Sequence, residues 1–202
     1  MPSLRDVLKM PRMYQLFQEA GGFFGARLRF LRRSGLALDG AWVIDVGCGP
    51  GFIRRHLPDS VQYFGFDTDQ RYIDYAKAHN RQGATYLCQI FDASSVAITG
   101  PADVVMMNGL LHHLDDATAR SLIADAAACL KPGGCIVTLD GCYRPGQSWV
   151  VKILLDGDRG EHVRTQEGYL DLFAGTGLAV SAICDGKVSR VPYDFIWITA
   201  RK

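Results

Sequence analysis

The chain has 202 residues, enough for one domain with a sizeable core. Its 48% hydrophobic and 21% charged residues describe an ordinary globular protein, and exclude a disordered or fibrous one. Its 22 basic and 21 acidic residues nearly balance, so net charge gives no argument for a nucleic-acid partner, although residues 1–35 carry seven bases against two acids.

In chain order, "PRMYQLFQEAGGFFGARLRFLRR" is aromatic and basic. On a helix, Phe24, Leu28 and Leu31 share one face, Arg29 and Arg33 point away, and Arg32 flanks it. The expectation is a lid or added helix packed on the sheet, with Tyr14 an acceptor-side contact. A peripheral membrane or lipid-linked substrate contact is the second reading. The nucleic-acid reading rests on this stretch alone. "AWVIDV" reads as a strand, "GFIRRHL" as a short helix and "VQYFGF" as a second strand. "QRYIDYAKAHN" has Tyr72, Ile73 and Ala76 at helical spacing, with Asp69 before it as cap. "ATYLCQI" and "ADVVMMN" are strands three and four. "DDATARSLIADAAACLKPGG" predicts a helix capped by Asp115 or Asp116, striped by Leu122, Ile123, Ala126, Ala127 and Leu130, and stopped by Pro132 and Gly133. "CIVTLD" is strand five, "QEGYLDLFAGTG" a last helix, and "LAVSAIC" and "DFIWITA" close the chain as a pair. Alternating strands and helices predict right-handed βαβ units and a mostly parallel sheet. The final pair, joined without a helix, adds an antiparallel strand.

Six cysteines, at 48, 88, 129, 135, 142 and 184, form no C-x-x-C pair and have no His at zinc spacing, which predicts free thiols and no metal. No uncharged run reaches the roughly 18 apolar residues of a membrane span. Arg5, Asp6, Lys9 and Arg12 occupy the place of a signal peptide's apolar block, so a cytoplasmic protein is expected.

The stretch "VIDVGCGPG", residues 43–51, joins the first strand to the helix pattern through Gly47, Gly49 and Gly51. Glycines at such a junction let backbone approach a ligand closely. Their spacing is G-x-G-x-G rather than the dinucleotide G-x-G-x-x-G, and Asp45 lies two residues before the first. An acid so placed opposes a pyrophosphate and suits a ligand with a cationic amine.

These residues resemble the first motif of the class I (Rossmann-like) S-adenosylmethionine-dependent methyltransferases. "FGFDTD", "IFDAS", "ADVVMMNGLLHHL" and "LKPGG" resemble, in order, the further motifs of that family over residues 42–140. The resemblance implies a Rossmann-like methyltransferase fold: a mostly parallel seven-stranded sheet, helices on both faces, an antiparallel last strand. It also implies a single domain over 1–202, with a helical lid in 1–40, a cofactor-binding core in 41–140, and an acceptor-side insertion and closing strands in 141–202. The implied cofactor is S-adenosyl-L-methionine. Asp67, with Thr68 beside it, would accept from the ribose hydroxyls, while Asp92 would accept from the adenine amino group with Phe91 and Ala93 flanking the ring. Asn108 and Gly109 would offer backbone to the methionine part. Asp45 would orient the loop Gly47–Cys48–Gly49–Gly51, where Cys48 is a variable position and no nucleophile.

The base candidates for an acceptor that must lose a proton are His112, His113 and Asp140, all at the carboxyl edge of the sheet. Residues 141–169 are expected to bind the acceptor, offering Tyr143, Arg144, Arg159, His162 and Arg164 to a polar or anionic group. The function implied is methyl transfer to an O or N atom of a small molecule. A catalytically inactive cofactor-binding partner subunit and an RNA or protein methyltransferase are the competing readings.

Overall fold

The computed structural model describes residues 21–80, 83–157 and 160–202. Tyr14 and Arg159 lie outside them. The first helix, α1 (Phe23–Arg33), is followed by β1 (Trp42–Val46), a 3-10 turn at Phe52–His56, β2 (Gln62–Asp67), α2 (Gln70–His79) and β3 (Ala84–Cys88). Then come α3 (Val96–Thr99), β4 (Ala102–Asn108), a 3-10 turn at Leu111–His113, α4 (Asp116–Ala128) and β5 (Leu130–Tyr143). The remainder is α5 (Trp149–Asp156), β6 (Arg164–Thr165), α6 (Gln166–Asp171), β7 (Ala179–Asp185) and β8 (Phe195–Arg201).

The strand order is β3-β2-β1-β4-β5-β8-β7, with the two-residue β6 pairing beside β5. Strands β3 through β5 pair in parallel, and β8 runs antiparallel to both β5 and β7. The sheet thus has eight strands, one short strand more than the pattern predicts, and the antiparallel member is the last. The order reverses between β1 and β4, which opens a crevice at their carboxyl ends.

Both faces are covered, which is why β1 and β4 read as apolar runs instead of alternating. On one face Val43, Tyr63, Met106, Val137 and Trp197 pack with Ala26 and Phe30 of α1 and Ile73 and Ala76 of α2. On the other, Ile44, Val105, Ile136 and Ile198 pack with Ala119, Ile123 and Ala126 of α4 and Tyr169 of α6. The caps read from the sequence are present: Asp69 accepts from the Arg71 N–H, and Asp115 from the Thr118 N–H.

Three expectations change. "GFIRRHL" closes as a 3-10 turn rather than an α-helix, its chain leaving in extended geometry at Leu57. The buried side of α1 is Ala26, Phe30 and Leu31, with Phe24 and Leu28 only partly covered, because the Phe30 ring stacks on Trp197 with centroids 5.7 Å apart. Arg29, Arg32 and Arg33 are exposed, as the helical wheel predicts. Finally, the stretch after β5 holds a true helix, α5. The six cysteines are free thiols. Among the described residues, no helix is long and apolar enough to cross a membrane.

Candidate active site

The glycine loop uses its own amides. The N–H groups of Gly47 and Cys48 both donate to the Phe66 carbonyl, at 2.8 and 2.9 Å, and that of Gly51 to the Cys48 carbonyl. The Gly49 N–H donates to the Asp67 carboxylate at 2.9 Å, and Pro50 has none to give. A phosphate would need these donors turned outward. The loop therefore makes a poor anion cradle, as Asp45 already suggested.

Its three glycines serve different ends. All have positive φ, +71° at Gly47, +53° at Gly49 and +72° at Gly51, which other residues rarely adopt. A side chain on Gly51 would meet the Tyr86 ring at 2.8 Å, and one on Gly47 would meet Leu110 at 3.1 Å. Only Gly49 faces open space. Gly47 and Gly51 are packing glycines, and Gly49 is the one that opens the crevice. Cys48 turns its thiol toward Gly65, and burial lifts the thiol pKa well above its ordinary value, so it is no nucleophile.

The crevice is acidic at one end. Asp45 is 3% exposed, receives the Tyr63 hydroxyl, and is pushed up to a pKa of about 6, chiefly by burial. The nearby Arg27 guanidinium opposes that rise. Asp67 ends β2 with its carboxylate held by the Gly49 N–H and, at 2.8 Å, by the Asp69 N–H; burial raises its pKa also. Thr68 beside it is exposed. Asp92 is exposed and accepts from the Ser94 N–H and hydroxyl, which lower its pKa and keep it an acceptor. Ala93 follows it in the same turn. Phe91 does not flank a ligand: it is 3% exposed and packs edge-on against Phe66. Ala93 and, two residues before Asp92, the larger Ile90 are the apolar side chains that reach solvent here.

At the other end the backbone turns at Gly109, φ +71°, whose N–H donates to the Leu139 carbonyl at 2.7 Å. The Asn108 side-chain oxygen is buried with no hydrogen-bond partner. Arg27 reaches here from α1, one guanidinium nitrogen lying 3.6 Å from where a Gly109 side chain would begin. Its buried Nε makes no hydrogen bond. Sequence reasoning passed over Arg27, and the one signal it left was a basic residue one position after the buried Ala26.

These groups fit S-adenosylmethionine on chemical grounds. Asp67 and Asp92 are fixed acceptors for hydroxyl and amino groups, while Asp45 and Asp67 favour positive charge. Arg27 is a cation suited to a carboxylate, and Asn108, the residue before Gly109, has an orphaned buried acceptor. An orphaned buried acceptor is costly without a ligand or water to satisfy it.

The acceptor end is built around His112. Its Nδ1 lies 2.7 Å from Asp140 Oδ1, and its backbone N–H lies 3.3 Å from the same oxygen. Both residues are buried. A Cβ on Gly109 would lie 3.8 Å from the imidazole Cε1, and Gly160 packs against Cδ2 so tightly that any side chain there would collide with the ring. Nε2, between those two carbons, therefore lies on the edge running from the Gly109 bend to the 160–164 segment. His113 is exposed, its ring 4.1 Å from that of His112.

Arg144 and Arg164, expected to meet the acceptor, instead bond within the fold. Arg164 donates to the carbonyls of Leu111, Leu114 and His162 and pairs with Asp116, bolting the His112 turn in place. The backbone N–H of His162 donates to the His112 carbonyl. Arg144 pairs with Asp194 at 3.3 Å, and the Tyr143 hydroxyl donates to Asp156. Loop carbonyls with no ladder partner had to be satisfied, and these side chains satisfy them.

The strand order, the reversal and the crevice at the carboxyl edge define a Rossmann-like methyltransferase fold. Comparisons agree: residues 43–134 match the family described as Methyltransferase domain. The chain is 32% identical over 117 residues to the malonyl-[acyl-carrier protein] O-methyltransferase of Hahella chejuensis, covering 56% of this chain and 40% of that protein. It is 32% identical over 115 residues to the ubiquinone biosynthesis O-methyltransferase of Coxiella burnetii, covering 54% and 46%. The chain thus spans about half the length, or less, of these curated relatives. Among solved structures, the magnesium protoporphyrin IX methyltransferase of Synechocystis, with bound SAH, superposes with a TM-score of 0.62 at 17% identity, over 100% of this chain and 90% of that one. The pyocyanin biosynthetic protein PhzM gives 0.70 at 18% identity, over 95% and 58%. Residues 43–134 thus match a methyltransferase domain, and the chain shares the fold of a methyltransferase solved with bound SAH, the demethylated form of S-adenosylmethionine.

Proposed function

We propose that this chain methylates a hydroxyl oxygen of a small-molecule acceptor. The supporting observation is the buried His112–Asp140 pair at 2.7 Å, opening on the Gly109 bend. S-adenosylmethionine, when bound, supplies an electrophilic methyl group. An amine acceptor needs no base beside that methyl, whereas a hydroxyl must lose its proton as its oxygen attacks. His112 accepts that proton at Nε2. Asp140 receives the Nδ1–H, holds the ring in the tautomer that leaves Nε2 basic, and stabilises the imidazolium that forms. Arg164, through the carbonyls of Leu111 and Leu114, keeps the turn from drifting, and Gly160 closes the ring's flank against water. The relatives named as O-methyltransferases support the choice of oxygen.

Calorimetry with S-adenosylhomocysteine tests the root of this reading, and a flat titration ends it. Labelled methyl transfer into a fractionated host extract, followed by mass spectrometry, then identifies the acceptor. Label confined to RNA or protein would refute the small-molecule assignment. His112→Gln should lower kcat by roughly 10²–10⁴-fold while S-adenosylhomocysteine affinity stays unchanged.

A further inference from the structure

The helix α5, in the insertion that follows β5, has two faces of unequal wetness. Ser148 caps it by accepting from the Val151 N–H. Val151 and Leu155 are buried, and Leu155 sits where a side chain on Gly141 would meet it at 3.0 Å. Those contacts set the helix rotation. The opposite side then presents Trp149, Val150 and Ile153, which are 72%, 37% and 58% exposed, with the exposed Lys152 among them. Single exposed apolar residues are ordinary, but three large ones on adjacent turns form a patch that water does not favour.

Basic groups lie along the same edge. Asp185, the last residue of β7, pairs with Phe195, which pairs with Gly141, so the 186–194 connection runs beside the exit from β5. It carries exposed Lys187 and Arg190. Two of the nearby carboxylates, Asp194 and Asp185, are paired with arginines. Asp156 accepts from Tyr143, Asp194 from Gln147 and Arg144, and Asp185 pairs with Arg33 and accepts from the Lys187 N–H. The edge therefore offers tryptophan and aliphatic side chains beside Lys152, Lys187 and Arg190, whose side chains pair with no carboxylate among the described residues, the pattern that suits the interface of an anionic bilayer.

We propose that α5 is a membrane-surface contact. Trp149, Val150 and Ile153 enter the interfacial layer, and Lys152, Lys187 and Arg190 meet anionic headgroups. Because α5 packs on Gly141, next to Asp140, this docking turns the His112 end of the crevice toward the lipid. An amphiphilic acceptor could then enter without crossing water. The contact goes beyond methyl transfer and is measurable without turnover.

Phosphatidylcholine vesicles with and without phosphatidylglycerol, incubated with the whole chain, provide the test. The expected result is co-sedimentation with the anionic vesicles and a blue shift of tryptophan emission that Trp149→Phe removes. The double variant Trp149→Ser, Ile153→Ser should lose roughly tenfold or more of that binding while keeping its calorimetric response to S-adenosylhomocysteine. Failure of the parent chain to sediment, equal binding by the double variant, or equal binding to neutral vesicles would overturn the proposal. So would a concentration-dependent dimer that Trp149→Ser dissolves, since a second copy would then cover the patch. Should the double variant not fold, quenching of Trp149 by brominated lipid in the parent chain decides.

Discussion

The two ends of the crevice are built by opposite means. The cofactor end is mostly backbone: a loop whose amides bond inward, two packing glycines, and acids standing at strand ends. The acceptor end is mostly side chains drawn from distant segments, with His112 held by Asp140 on one side and by Arg164 through its turn on the other. A backbone cradle tolerates little change in conformation, and a side-chain bracket tolerates little loss of partners.

The sharpest way to break this contrast is at Arg164, whose side chain bonds three carbonyls around the His112 turn. Arg164→Ala should cost roughly 3 kcal/mol of stability by stranding those acceptors, read by denaturant unfolding. A loss below about 1 kcal/mol would mean that water replaces the guanidinium and that the bracket is weaker than drawn. At the cofactor end, Gly51→Ala and Gly49→Ala share a positive-φ strain of roughly 1–2 kcal/mol. Gly51→Ala must also displace Tyr86, so it should be clearly the more destabilising of the two. Equal losses would show that the loop yields and that Gly51 is not a packing position. The smallest effect is on pH. Burial holds Asp45 at about 6, above the ordinary carboxylate range, so its proton stays on in the folded protein until the pH rises through that value. Its ionised form favours a cationic ligand, so S-adenosylmethionine affinity should weaken as pH falls from 7 to 5, roughly the window of that shift. Asp45→Asn should flatten the profile. Arg27→Gln should move its midpoint upward, because Arg27 opposes the rise. A profile unchanged by both variants would remove Asp45 from the ligand's field.

Legibility in the sequence followed the same division. The strands, the glycine loop, the Asp69 and Asp115 caps and the strand-end acids were readable because each rests on local spacing within a dozen residues. The helix α5 was not. "WVVKILL" is apolar almost all round, so no stripe announces a helix, and its wet face is as hydrophobic as its buried one. Phe91 was misassigned because the chain's turn after β3, which sends Phe91 inward and Ile90 outward, leaves no local mark. Arg144 and Arg164 looked like acceptor contacts for want of any sign that the loops around them needed donors.

By itself, then, the sequence determined the sheet's makeup, the class of ligand its first loop could hold, and a short set of candidate bases. Periodicity and turn chemistry are local, and they survive without knowledge of neighbours. Only the tertiary structure decided that His112 and Asp140 form one unit, that Gly49 alone of its loop opens the crevice, and that Arg27 reaches the Gly109 bend. Those outcomes depend on which distant segments bury one another, and burial is what turns a polar side chain into a bolt, a base or a ligand contact.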